Sequence, residues 1–257
     1  MAGSPSIRLG ISQCLLGDPV RYDGGHKRDR FLTDVLGRYV EWVPICPEVE
    51  AGLGVPREPM RLVGASDVPR LVTITTQRDL TRQLKGFSTR KLGELQALDL
   101  SGYVFKARSP SCGIESVPLY GKTGKAKPDG TGLFARAFQK QFPLIPITDE
   151  GRLVDPASRE YFLKRVFGYH RWSQFTKRPV TRRAVVSFHQ AQADLLSSCG
   201  RRDRQALNRL VALPARYRPT QLAARYGRRF MKALQSSAGP REIPSTSRRR
   251  RKDERSN

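Results

Sequence analysis

The 257-residue sequence predicts an α/β fold: a parallel sheet flanked by helices in the Rossmann-like manner, then a small all-helical C-terminal module and a disordered basic tail. Three observations predict it. Short β-prone runs alternate with helical stretches through residues 1–148. Strand signals then stop, and helical periodicity takes over for residues 149–235. Residues 236–257 carry turn formers and charge with no core-forming periodicity.

The β-prone runs lie at 6–11, 39–45, 71–75, 102–105 and 144–147, with helices expected at 30–38, 77–98 and 132–142. Strands separated by helices of this length read as βαβ units around one parallel sheet. In the second part, Asp155 is placed to cap a helix with Pro156 at its first position. Phe162, Leu163, Val166 and Phe167 then recur at helical spacing. Further helices are expected at 184–197, 203–212 and 220–234.

The formal net charge of +24 points to a polyanionic partner, and nucleic acid is the usual one. The SRRRRK run in the tail adds to it. No apolar run approaches the roughly 18 to 20 residues needed to span a bilayer. The start, MAGSPSIRLGIS, lacks the charged and apolar regions of a secretory signal, so a cytoplasmic location is expected. There, four cysteines read as ligands, catalysts or core thiols rather than disulfides. No pattern indicates an oligomeric state.

Three cysteines share a topological address. Cys14 follows the first strand, Cys46 ends the second, and Cys112 sits in the loop after 102–105. In an open parallel sheet, ligands bind at the carboxyl edge, where these thiols converge. Each stands in a Gly- and Pro-containing segment suited to wrapping something compact: SQCLLGDPV, ICPEVEAGLG and SPSCG. Such a set suits zinc, with His26 as the candidate fourth ligand, or an iron–sulfur cluster with one iron left open. Asp23 and His26, in YDGGHKRD, belong to a turn near Cys14 and are candidates to line the pocket. Cys199, in SSCGRRD, lacks such neighbours and reads as structural. Two other readings are a non-catalytic RNA-binding protein with a structural metal site and an electron-transfer protein, which would usually want a fourth cysteine ligand.

ISQCLLGDPVRYDGG, CPEVEAGLGVPREPMRL and KARSPSCG, in this order, resemble the three motifs of the thiouracil desulfurase family, a likeness covering residues 7–148. DGGHKRD, with GRLVDPASREYFLKRVFGYHRW downstream, resembles the subgroup fused to a helical C-terminal domain and associated with removing sulfur from thiouridine in tRNA. That second likeness is clear to about Phe188, beyond which the helical module looks shortened and divergent. The resemblance implies that Cys14, Cys46 and Cys112 hold a 4Fe–4S cluster whose fourth iron is free of protein. It implies Glu48 as the active-site acid and Ser109 as the active-site hydroxyl, with Ser111 a further substrate-binding candidate. The implied activity is a non-redox desulfidase acting on a thiolated pyrimidine or tRNA. Water attacks the thiocarbonyl carbon with Glu48 as base, Ser109 bonds the developing charge, and hydrosulfide leaves. Ordinary roles compete: an ion pair of Glu48 with Arg57 or Arg61, and a Ser-Pro turn at Ser109.

Overall fold

The computed structural model describes residues 6–121 and 123–236. In chain order its strands are β1 (Arg8–Ser12), β2 (Glu41–Ile45), β3 (Met60–Gly64), β4 (Pro69–Thr73), β5 (Gly102–Phe105), β6 (Val117–Tyr120), β7 (Ala126–Gly130) and β8 (Ile147–Asp149). Its α-helices are α1 (Pro47–Glu50), α2 (Thr81–Gln96), α3 (Leu133–Gln141), α4 (Pro156–Thr176), α5 (Arg182–Ala191), α6 (Ala193–Ser197), α7 (Arg201–Ala212) and α8 (Pro219–Ser236).

The expected parallel sheet is present, in the order β2-β1-β5-β8. β1 lies between β2 and β5, with Ile11 opposite Pro44 on one side and Val104 on the other. Side-chain alternation divides the sheet's two faces. Tyr103 and Phe105 turn to one face and pack with Phe134 and Phe138 of α3 beside α2. Leu9, Ile11 and Val104 turn to the other, against Leu32, Leu36 and the α4 residues Phe162 and Val166.

Two expectations change. The run 71–75 forms β4, which lies in a second sheet of order β4-β3-β6-β7. Only residues 65–68 separate it from β3, so it pairs antiparallel with β3 as a hairpin; a parallel partner needs a crossover of a dozen or more residues. The stretch 30–38 is no regular α-helix but a π-helical turn, Phe31–Val35, followed by a 3-10 turn.

α4 starts as the sequence indicates. The Asp155 carboxylate accepts from the Ser158 N–H at 2.8 Å, with Pro156 at the first position. Its first half covers the parallel sheet, whereas Trp172, further along, belongs to a second core with Phe188, Tyr226 and Phe230. The chain's two parts therefore share α4. The helix expected at 184–197 breaks at Gln192 into α5 and α6. Apart from Ser236, which ends α8, the expected tail lies outside the described residues. No described helix is long and apolar enough to cross a membrane.

Two glycines have opposite roles. On β1, a Cβ at Gly10 would stand 2.2 Å from the Tyr103 ring, so glycine leaves the space that ring occupies. On α2, a Cβ at Gly86 would meet nothing within 4 Å. Gly10→Ala is expected to cost about 1–3 kcal/mol by overpacking. Gly86→Ala is expected to stabilise by about 0.5–1 kcal/mol through helix propensity. Urea unfolding midpoints read both signs.

Candidate active site

Because β1, β2 and β5 run parallel, their carboxyl ends meet at one edge, and the segments leaving them wall a cavity of ≈ 430 Å³. Cys14 enters from the 3-10 turn after β1, Cys46 from the residue between β2 and α1, and Cys112 from the loop after β5. All three are free thiols; Cys46 and Cys112 are buried, and Cys14 is half-buried. Cys199 lies elsewhere, in the helical core with Leu196 and Leu207.

Burial pushes all three thiols upward in pKa. Cys14 rises to about 11, with the Lys106 ammonium opposing and the Cys46 charge adding. Cys46 is raised mainly by burial, and Cys112 strongly so, with the Cys46 charge adding again. The thiols thus feel one another's charge, and three thiolates here need a cation to hold them. Among the described residues, no three His, Cys, Asp or Glu side chains are gathered as a single metal ion requires. The zinc alternative depended on His26, which is exposed and absent from the cavity wall. His170 bonds Ser101 at 3.0 Å and His189 bonds Tyr226 at 3.1 Å, both within or beside the helical half. With no histidine on the cavity wall, sulfur is the soft donor it offers.

Glu48 projects from α1 into the same cavity. Its Oε2 accepts from the Arg57 guanidinium, with Nε at 2.9 Å, in a pair whose side chains are only 6% and 12% exposed. Arg57 also donates to the Gly54 and Val20 carbonyls at 2.8 and 2.9 Å, which fixes its fork. The other oxygen, Oε1, accepts from the Ser111 hydroxyl at 2.6 Å. Ser109 also lines the cavity. Its Oγ accepts from the Cys112 and Ser111 N–H groups at 3.2 and 3.3 Å and lies 3.0 Å from Ser111 Oγ. The Glu48–Arg57 pair and the Ser-Pro turn thus exist, inside the cavity.

Asp23 and His26 occupy the exposed turn. Asp23 accepts from the Gly25 N–H at 3.0 Å, and His26 from the Arg28 N–H at 3.2 Å. Neither lines the cavity, though Tyr22 and Lys27 beside them do. Sequence reasoning missed Ser12, which ends β1 and faces the thiols, and Lys106, which follows β5 and pairs with Glu150. For Lys106 the available signal was its position one residue past β5; Ser12, the last residue of an apolar strand, offered none.

The family model for 2-thiouracil desulfurase matches residues 9–150, just over half of the chain. The chain belongs to that family, and it is a desulfidase. The uncharacterized protein YbbK of Bacillus subtilis (strain 168) is 29% identical over 109 residues, covering 40% of this chain and 71% of YbbK. A solved structure of a 4Fe–4S-dependent thiouracil desulfidase, TudS, is 31% identical, over 58% of this chain and 93% of that one, with a TM-score of 0.47.

The raised thiols give a pH test on metal-free protein. With Cys14 at about 11, its thiolate fraction at neutral to mildly alkaline pH is roughly a hundredth of that of an ordinary thiol. Alkylation of Cys14, followed by mass spectrometry, is expected to stay slow and to rise about tenfold per pH unit until near pH 11. Folded thiols bind protons that unfolded ones have released, so stability is expected to fall as pH climbs from about 9 to 11.

Proposed function

We propose that the chain removes sulfur from a thiolated uracil, thiouridine in tRNA, by hydrolysis that releases hydrosulfide, with Cys14, Cys46 and Cys112 holding a 4Fe–4S cluster. One observation carries this reading: three thiols from three separate strand ends share a cavity with one half-buried carboxylate, Glu48. The donor set fits, since three sulfur ligands without a histidine among the cavity-lining residues suit a cluster with one iron free of protein. Such a cluster supplies a soft Lewis-acid position for a thiocarbonyl sulfur.

The remaining work falls to the chain. Arg57 clamps Glu48 Oε2, so Oε1 is the oxygen that takes the proton from attacking water. Ser111, bonded to Oε1, orients that oxygen and leads to the Ser109 hydroxyl. Ser109, its oxygen fixed by the turn's N–H groups, turns its proton from Ser111 Oγ to the charge developing on the substrate. Val20, Pro47, Pro59 and Met60 form apolar walls against which a pyrimidine ring packs. Asp23 and His26, outside the cavity, meet the part of a nucleic-acid substrate that extends beyond the base.

The charge of +24 supports docking of a polyanion. In this assignment residues 1–148 form the cluster-binding α/β domain, 149–235 the helical tRNA-binding domain and 236–257 a basic tail, in a cytoplasmic protein. The helical part is no detachable module, because the first half of α4 covers the sheet.

The test incubates anaerobically reconstituted full-length protein with bulk thiolated tRNA and follows thionucleosides by mass spectrometry. Loss of a thiouridine with matching release of sulfide is expected; no loss would overturn the tRNA assignment, with free thiouracil as the comparison substrate. Glu48→Gln keeps size and hydrogen bonding but removes the base. It is expected to retain iron while losing about 10²- to 10⁴-fold in rate. Near-normal single turnover by this variant would remove Glu48 from the mechanism.

A further inference from the structure

We infer that the mouth of the cavity grips the nucleotides beside the target base: Tyr22, backed by Arg21, stacks one neighbouring base, and Lys27 and Arg108 hold the flanking phosphates. This rests on the tRNA reading above and adds that the thiolated uracil enters from an unstacked, single-stranded stretch of RNA.

Exposure sorts the cavity wall by depth. Cys46, Ser111 and Cys112 are buried, whereas Tyr22, Lys27 and Arg108 line the same cavity and are exposed, so they form its mouth. The cations further in are engaged, Arg57 with Glu48 and Lys106 with Glu150. At the mouth, Arg21 meets Asp23 at 3.4 Å. Among the described residues, neither Lys27 nor Arg108 makes an ion pair or a side-chain hydrogen bond. A free thiouracil carries no phosphate for these cations to meet. A base within an RNA strand brings one on either side.

The backbone holds these groups in place. The Arg21 N–H donates to the Gly25 carbonyl at 3.1 Å, and the Lys27 N–H donates to the Cys14 carbonyl at 2.8 Å. The Tyr22 carbonyl accepts from the Arg57 N–H at 2.9 Å, which ties the turn to the residue that clamps Glu48. Arg108 has a φ of 59°, in the left-handed region that favours glycine, so a cationic side chain stands there against its backbone preference. A base that reacts inside a cavity must leave its stack, and the neighbour it leaves loses a partner. The Tyr22 ring is 39% exposed, with the Arg21 guanidinium 5.4 Å from its centroid, and offers that neighbour a new face.

The test needs no turnover. A short single-stranded RNA with a central unmodified uridine is bound to full-length protein and followed by fluorescence anisotropy at several salt concentrations. Wild type is expected to bind it more tightly than uridine monophosphate. Tyr22→Ala is expected to weaken RNA binding about 10-fold, and Tyr22→Phe, which keeps the ring, to stay near wild type. Lys27→Ala and Arg108→Gly are each expected to flatten the log–log salt slope by about 0.7. Arg108→Gly is also expected to keep or raise the urea midpoint, which separates lost binding from lost folding. Wild-type affinity in Tyr22→Ala, an unchanged slope in either charge variant, or RNA bound no better than uridine monophosphate would overturn the inference. Reconstituted wild type that releases no sulfide from thiolated tRNA would instead overturn the tRNA reading, so the two failures are distinct.

Discussion

The parallel pairing of β1 with both β2 and β5 is the constraint on which the rest depends. Parallel strands put their carboxyl ends on one edge, so segments far apart in sequence leave the sheet side by side. Cys14, Cys46 and Cys112 each follow one of these strands, and Glu48 and Ser111, 63 positions apart, come within a 2.6 Å hydrogen bond. An antiparallel partner in place of β2 or β5 would send one thiol to the opposite edge. The pairing in turn needs both faces of the sheet covered. Tyr103 and Phe105 meet α3 on one side, and α4 closes the other through Phe162 and Val166.

The cavity combines groups that disfavour one another until something cationic joins them. Three thiols resist ionisation because they are buried, and each added thiolate raises the next. Glu48 adds negative charge to Cys46 and Cys112, while Arg57 bonds Glu48 and only partly offsets this at Cys46. In the proposed assignment a metal cluster relieves this frustration, and the carboxylate stays beside it because its own counterion is built in. The Arg57 contacts to two carbonyls matter here: a guanidinium fixed on three partners holds one carboxylate oxygen and leaves the other to Ser111.

Much of this was legible in the sequence where the signal is local. The strand at 102–105 appeared at the expected bounds, and the cap at Asp155 and Pro156 marked the start of α4. The second sheet was not legible beyond its one apolar run. β6 carries Pro118 at a bulge, and β7 is a polar edge strand containing Pro128, so neither shows clean strand alternation. The sharing of α4 between two cores was hidden too, since its apolar positions read alike whichever surface they meet. At the site, the three cysteines and Glu48 stood out by motif, and the placement of three cysteines at strand ends was a topological inference. Ser12 gave no such cue: a serine ending an apolar strand is ordinary until the fold sets it on the cavity wall with the three cysteines.

The central claim is that Cys14, Cys46 and Cys112 act as one ligand set and Cys199 stands apart. Iron and acid-labile sulfide, measured after anaerobic reconstitution of the full chain and its four single Cys→Ser variants, test it most directly. The account expects about four of each per chain in the wild type and in Cys199→Ser, and loss of the stable cluster in the other three. Full loading of Cys14→Ser, Cys46→Ser or Cys112→Ser, or loss in Cys199→Ser alone, would contradict it.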